Sequence, residues 1–113
     1  MSDCVFCKIA SGGIPARIVH RDDHVLAFED LHPQAPVHLL IVPLEHIASL
    51  NDASGAHREL LGRMWLVARD LAAQKGVAGG YRVVNNCGAP AGQSVFHIHL
   101  HLLGGRAMSW PPG

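Results

Sequence analysis

The chain has 113 residues, nine Lys+Arg against nine Asp+Glu, and nine histidines, so its net charge is zero with histidine neutral. No Lys/Arg cluster supplies the basic footprint of non-specific nucleic-acid binding, and the longest apolar run, "LLIV" at 39–42, is far too short to span a bilayer. The length fits a single domain over 1–113, and 49% hydrophobic against 16% charged residues implies apolar surface covered by a partner.

"MSDCVFCKIASGG" lacks the apolar stretch of a secretory leader, so the expectation is a soluble cytoplasmic protein whose three cysteines are reduced thiols. Its "CVFCKIASG" reads as a short helical turn stopped by Gly12, Gly13 and Pro15. "ARIVHRD" and "HVLAFED" read as two strands around a turn at residues 21–23. The prolines of "HPQAP" make a loop, and "VHLLIVP" is the most strand-like segment of the chain. "EHIASLNDAS" is loop or one helical turn. The one long helix runs through "ASGAHRELLGRMWLVARDLAAQKG", with Gly76 as its C-terminal stop. Leu61, Met64, Trp65, Ala68, Leu71 and Ala72 make its apolar face, and Leu60, Leu66 and Val67 widen that face beyond what one sheet covers. Such breadth predicts either a deep core helix or a dimer interface. "YRVVNN" and "VFHIHLHLL" are two further strands, joined by the loop "CGAPAGQS". About five strands with hairpin-length connections, one long helix and one short one, and no alternation of strand with helix, predict an α+β class with a mainly antiparallel sheet.

The chemistry concentrates in "HIHLHLL" at 97–103. Side chains alternate along a strand, which puts His97, His99 and His101 on one face, about 7 Å apart, and Ile98, Leu100 and Leu102 on the other. Three imidazoles in a line cannot easily share one metal, but they can surround one phosphate. A metal oxygenase or H-x-H-x-D hydrolase would need a nearby carboxylate, and "LLGGRAMSWPPG" contains none. "CVFC" is a second motif, which by itself reads as a redox pair, half a zinc site or chance. No second C-x-x-C follows, which excludes a four-cysteine ribbon.

"HIHLHLL" fits the His-φ-His-φ-His-φ-φ signature (φ apolar) of the histidine triad superfamily. Together with "FEDLHPQAPVHLLIVPLEHI", "GQSVFHIHLHLLGGR" and the terminal "SWPPG", it resembles the Hint branch, the purine nucleoside phosphoramidases, over essentially the whole chain. The resemblance implies the histidine triad fold and a homodimer. It implies hydrolysis of P–N bonds in purine nucleoside 5′-monophosphate conjugates, with His99 as nucleophile and a nucleotidyl-histidine intermediate. Neutral imidazole suits that role, since its attacking nitrogen carries no proton to be removed. His101 would donate to the phosphate, His38 would tune or relay a proton, and an imidazolium nearby would protonate the leaving amine. By the same resemblance Asn86, Gln93 and Ser94 fall at phosphate and leaving-group positions. Asp30 would take the ribose hydroxyls, and Val5, Phe6, Ile9, Phe28, Leu31 and Leu40 would wall the base. Bacterial members similar to this chain pair the C-x-x-C with two histidines, which here are His46 and His97 beside Cys4 and Cys7, around a structural zinc. Trp110, in the proline-stiffened tail, would reach the partner's active site. Other branches of the superfamily would imply a dinucleoside polyphosphate hydrolase or nucleotidyl transferase. A nucleotide-binding regulatory protein is the alternative outside the enzymes.

Overall fold

The computed structural model describes residues 3–113; Met1 and Ser2 lie outside it. Five strands form one sheet: β1 (Ile18–Arg21), β2 (Val25–Glu29), β3 (Val37–Pro43), β4 (Tyr81–Val84) and β5 (Leu100–Gly104). They lie in the order β1-β2-β3-β5-β4 with every neighbouring pair antiparallel, as the hairpin-length connections predict. The β1–β2 turn closes because Asp22 Oδ1 accepts from the main-chain N–H groups of His24 and Val25. Helices α1 (Val5–Ala10) and α2 (Arg58–Gln74) complete the α+β fold.

Strand alternation sorts the core into two layers. Val25, Ala27, Leu39, Ile41, Leu100 and Leu102 pack on Met64, Val67, Ala68, Leu71 and Ala72 of α2. Leu26, Phe28, Leu40 and Val42 face the opposite way, onto Phe6 and Ile9 of α1. The second layer carries fewer apolar groups, and its polar neighbours are the histidines.

Three expectations are corrected. The helix is entered through a 3₁₀ turn at Gly55–His57, where Ser54 and His57 form a reciprocal cap, so α2 itself begins at Arg58. Its end is as expected: Gly76 takes the left-handed conformation just past the cap, at φ +77°, and Val77 N–H reaches back to Ala72 O. Trp65 is not part of the buried face, which runs through Met64, Val67, Ala68, Leu71 and Ala72 instead. Trp65 and Leu66 stand 50% and 52% exposed, because one sheet covers only one side of a helix apolar around more than half its circumference. The last strand is also shorter than "VFHIHLHLL" suggests. His97 and His99 precede β5, in an irregular stretch whose backbone bonds lie outside the sheet ladder. Ile98 N–H donates to Ile47 O, and Asn85 Nδ2 donates to His99 O. Among the described residues, no helix is long and apolar enough to cross a membrane.

Candidate active site and metal centre

The α1 face of the sheet carries an apolar cleft of about 290 Å³. Val5, Phe6, Ile9, Phe28, Leu31 and Leu40 line it together with Asp30, Ser94, His99 and His101. Ten residues singled out in the sequence, from five separate segments, thus share one cavity. Such a lining, apolar with a few polar groups at one side, suits a planar ligand with an ionic end. Leu31 is at its rim, 85% exposed. Phe6 of α1 meets His99 edge-on, with ring centroids 5.0 Å apart, and meets Phe28 in the same way at 5.5 Å.

Main-chain partners fix where each imidazole holds its proton. His99 Nδ1 lies 2.7 Å from His97 O, and a carbonyl only accepts, so Nδ1 carries the proton. His99 Nε2 is then a lone pair, and no hydrogen bond engages it among the described residues. Burial depresses the His99 pKa, against the pull of the His97 carbonyl and of Asp30, which keeps the imidazole neutral near pH 7. Ligation or nucleophilic attack both need that lone pair.

His38, on β3, stands one rung diagonally from His101 on β5, since Leu40 pairs with His101 and His38 with Leu103. Its Nδ1 accepts the main-chain N–H of Gln34 at 3.0 Å, so its proton sits on Nε2. That Nε2–H donates to His101 Nδ1 at 2.9 Å, with Asp30 Oδ2 at 3.4 Å. His101 therefore carries its own proton on Nε2. Burial, then the neighbouring His99 and His38, push the His101 pKa down to about 4 despite Asp30. With its pKa so depressed, His101 is neutral near pH 7.

His97 belongs to a different group. Its Nε2–H donates to Pro43 O at 2.8 Å, which turns the Nδ1 lone pair toward His46 Nδ1 at 3.1 Å, Cys4 Sγ at 3.3 Å and Cys7 Sγ at 3.5 Å. Cys7 Sγ is 3.5 Å from His46 Nδ1. All four ligand atoms lie within 4.8 Å of one another. Tetrahedral zinc, with Zn–N near 2.0–2.1 Å and Zn–S near 2.3 Å, needs ligand separations of about 3.3–3.8 Å. The cluster fits that ion, and a backbone carbonyl on the remote nitrogen is the usual support for a ligating histidine. Asp30, His38 and His101 also approach one another within 4.8 Å. In that second group His38 Nε2 carries a proton, because Gln34 occupies the other nitrogen, so its geometry suits proton exchange and not a cation.

Two residues expected at the phosphate are not among those that line this cleft. Gln93 is buried, accepts from Gly88 N–H and donates to the carbonyls of Ala48 and Val95. Its amide is spent on main-chain groups of its own loop and of Ala48. Asn86 is absent from the cleft lining and packs beside Gly92. The neighbour missed in the sequence is Asn85, which anchors the His99 carbonyl. "NN" contains both, and only the tertiary placement separates them. Trp110 stands 82% exposed in this single chain, its tail held by Arg82 Nη2 on Ser109 O.

Comparison with known proteins agrees with this geometry. A family described as scavenger mRNA decapping enzyme C-term binding matches residues 3–110. The crystal structure of a HIT family hydrolase from Legionella pneumophila superposes with a TM-score of 0.96 at 54% identity, covering 98% of this chain and all of that one, 100%. A 14 kDa zinc-binding protein of Zea mays is 49% identical over 114 residues, 99% of this chain and 89% of that protein. Adenylylsulfatase HINT1 of Arabidopsis thaliana is 47% identical over 114 residues, 99% of this chain and 78% of that protein.

Proposed function

The chain belongs to the histidine triad superfamily, in its Hint-like branch, and from that premise we propose that it hydrolyses the P–N bond of purine nucleoside 5′-phosphoramidates. The observation that carries the reading is the unengaged Nε2 lone pair of a neutral His99 in the wall of an apolar cleft. The purine lies between Phe28 and the Val5, Phe6 and Ile9 face of α1. The Asp30 carboxylate accepts from the ribose hydroxyls. His99 Nε2 attacks the α-phosphorus, the P–N bond breaks, and a nucleotidyl-histidine forms. Departure of the amine consumes one proton. The bound phosphate favours uptake of one proton from solvent by the hydrogen-bonded His38–His101 pair, and His101 gives its Nε2 proton to the nitrogen. Water then displaces the nucleotide from His99. Ser94 lies in the same wall, and in this reading it serves the phosphate or the departing group.

Cys4, Cys7, His46 and His97 hold a structural zinc in this reading. The ion supplies no chemistry to the substrate: four protein ligands close it. It ties α1 and the segment around His46 to the residue whose carbonyl orients His99.

Incubation with adenosine 5′-phosphoramidate should release AMP much faster than diadenosine polyphosphate does under the same conditions. Adenylyl sulfate belongs beside them, because attack at the same phosphorus serves a sulfate as well as an amine leaving group. Preference for the polyphosphate would move the chain to another branch's chemistry, and tight binding without turnover would make it a nucleotide-binding regulator.

The exposed Trp65 and Leu66 of α2 support a homodimer, in which the tail around Trp110 crosses to the partner's cleft. Light scattering at micromolar concentration should give a dimer mass. Deleting residues 109–113 should keep the dimer and its melting temperature but change, several-fold, the ratio of kcat/KM between phosphoramidates with different amines. A monomer, or a truncated dimer with unaltered preference, would refute this arrangement.

A further inference from the structure

The loop between β2 and β3 does more than connect them. Its backbone is bonded at successive points to groups of the site. Asp30 Oδ1 accepts from His32 N–H at 2.8 Å, and Gln34 Nε2 donates to His32 O at 3.0 Å. Gln34 N–H points at His38 Nδ1. From outside, Arg106 Nε donates to Gln34 O at 2.9 Å, while its Nη1 holds Ala107 O at 3.0 Å. Pro36 packs against Gly105, whose φ of +93° suits glycine and where an added Cβ would lie 3.0 Å from the Pro36 ring. The main chain is thus held on both sides of the Gln34 Cα, at the N–H of one peptide and at the carbonyl of the next.

We propose that residues 32–36 act as a tautomer lock, in which the Gln34 main-chain N–H, braced by Arg106, keeps the His38 proton on Nε2 and thereby keeps the His101 proton on the nitrogen that faces the cleft. A neutral imidazole has one proton for two nitrogens. A main-chain N–H can only donate, so the nitrogen it meets must be the bare one. His38 then donates to His101 Nδ1, and His101 Nε2 keeps its hydrogen. With His38 in the other tautomer the direction of this bond reverses. His101 would donate from Nδ1 and present a bare Nε2 to the cleft, where it would repel an anionic phosphate. Gln34 and Arg106 are positioning residues in this scheme. They touch no substrate, and Arg106 acts on His101 through a carbonyl, a peptide and a second imidazole. The consequence for nucleotides rests on the proposed function; the position of the protons does not.

Imidazole ¹⁵N spectra of the full chain at pH 7.5 read the protons directly. The native chain should show His38 and His101 as Nε2–H tautomers. Gln34→Pro removes the donor, and Arg106→Ala loosens its brace. Each should transfer population at His38 to the Nδ1–H form, Gln34→Pro the more strongly. The dissociation constant of AMP should rise by the factor through which the competent tautomer falls, about tenfold if it falls to about a tenth. A native His38 protonated on Nδ1 would overturn the lock. So would two folded variants with unchanged tautomers, and if Gln34→Pro fails to fold, Arg106→Ala alone decides. Tautomers that shift as expected in a chain that binds no AMP would uphold the lock and defeat the nucleotide reading instead.

Discussion

Replacing His99 with alanine is expected to lower phosphoramidate turnover by about 10⁴-fold or more, while AMP still binds within about tenfold of the native chain. The size follows from the role. Loss of a nucleophile removes the covalent route itself, whereas the apolar walls and Asp30, proposed to hold the nucleotide, stay in place. His97 cannot substitute, because its Nδ1 faces His46 and the two cysteine sulfurs and its Nε2 is bonded to Pro43 O. His101 cannot easily substitute either, since its Nδ1 takes the His38 proton and its Nε2 keeps its own. Intact-mass analysis of the native chain quenched during turnover of a slow substrate should therefore find one nucleotidyl group, and peptide mapping should put it on His99. An adduct on His97 or His101, or an alanine variant that still turns over, would defeat the assignment.

Protein purified without chelator should carry about one zinc per chain, and its removal should lower the melting temperature by about 10 °C or more. The His97 Nδ1 lone pair, fixed by the Nε2–H bond to Pro43 O, stands 3.1 Å from His46 Nδ1 with two sulfurs beside them. A cation held by these four groups binds the folded chain alone, so stripping it removes its binding energy from the stability of the fold. A loss of only about 2–3 kcal/mol suffices for such a shift in a chain of this length, at about 4 °C per kcal/mol. Cys4→Ser should reproduce the fall and should lower kcat less than His99→Ala does, since the ion acts on the fold and only indirectly on His99. Elemental analysis without zinc, together with a melt indifferent to chelator, would refute the site.

Much of this site was legible one residue at a time. Strand alternation set the aliphatic residues of "HIHLHLL" against the helix, and the packed core contains Leu100 and Leu102. The resemblance to the histidine triad proteins put Asp30, Ser94, His99 and His101 into one cavity with six apolar residues, and that is where they lie. The same resemblance grouped Cys4, Cys7, His46 and His97, which converge. The details that local pattern leaves open share one cause. Whether Gln93 faces a ligand or its own loop, and whether Asn85 or Asn86 meets the site, depends on backbone partners distant in the chain, Ala48 and His99. Local pattern carries no record of them.

Sequence by itself determined which segments become strands and helices and which face of each is apolar, because side-chain periodicity and the proline and glycine stops act over a few residues. It also determined the ionisable groups available. The tertiary structure alone decided what those groups can do. His97, His99 and His101 are identical in the chain, yet one turns its lone pair to His46 and two cysteines, one toward the apolar cleft, and one shows a proton there. The difference lies in the partner of the other ring nitrogen: Pro43 O, His97 O and His38. Two of these come from β3 and one from the backbone just before β5, and folding alone brings them within 3 Å. An imidazole has two nitrogens and, when neutral, one proton, so whatever the fold places at one nitrogen settles the chemistry of the other.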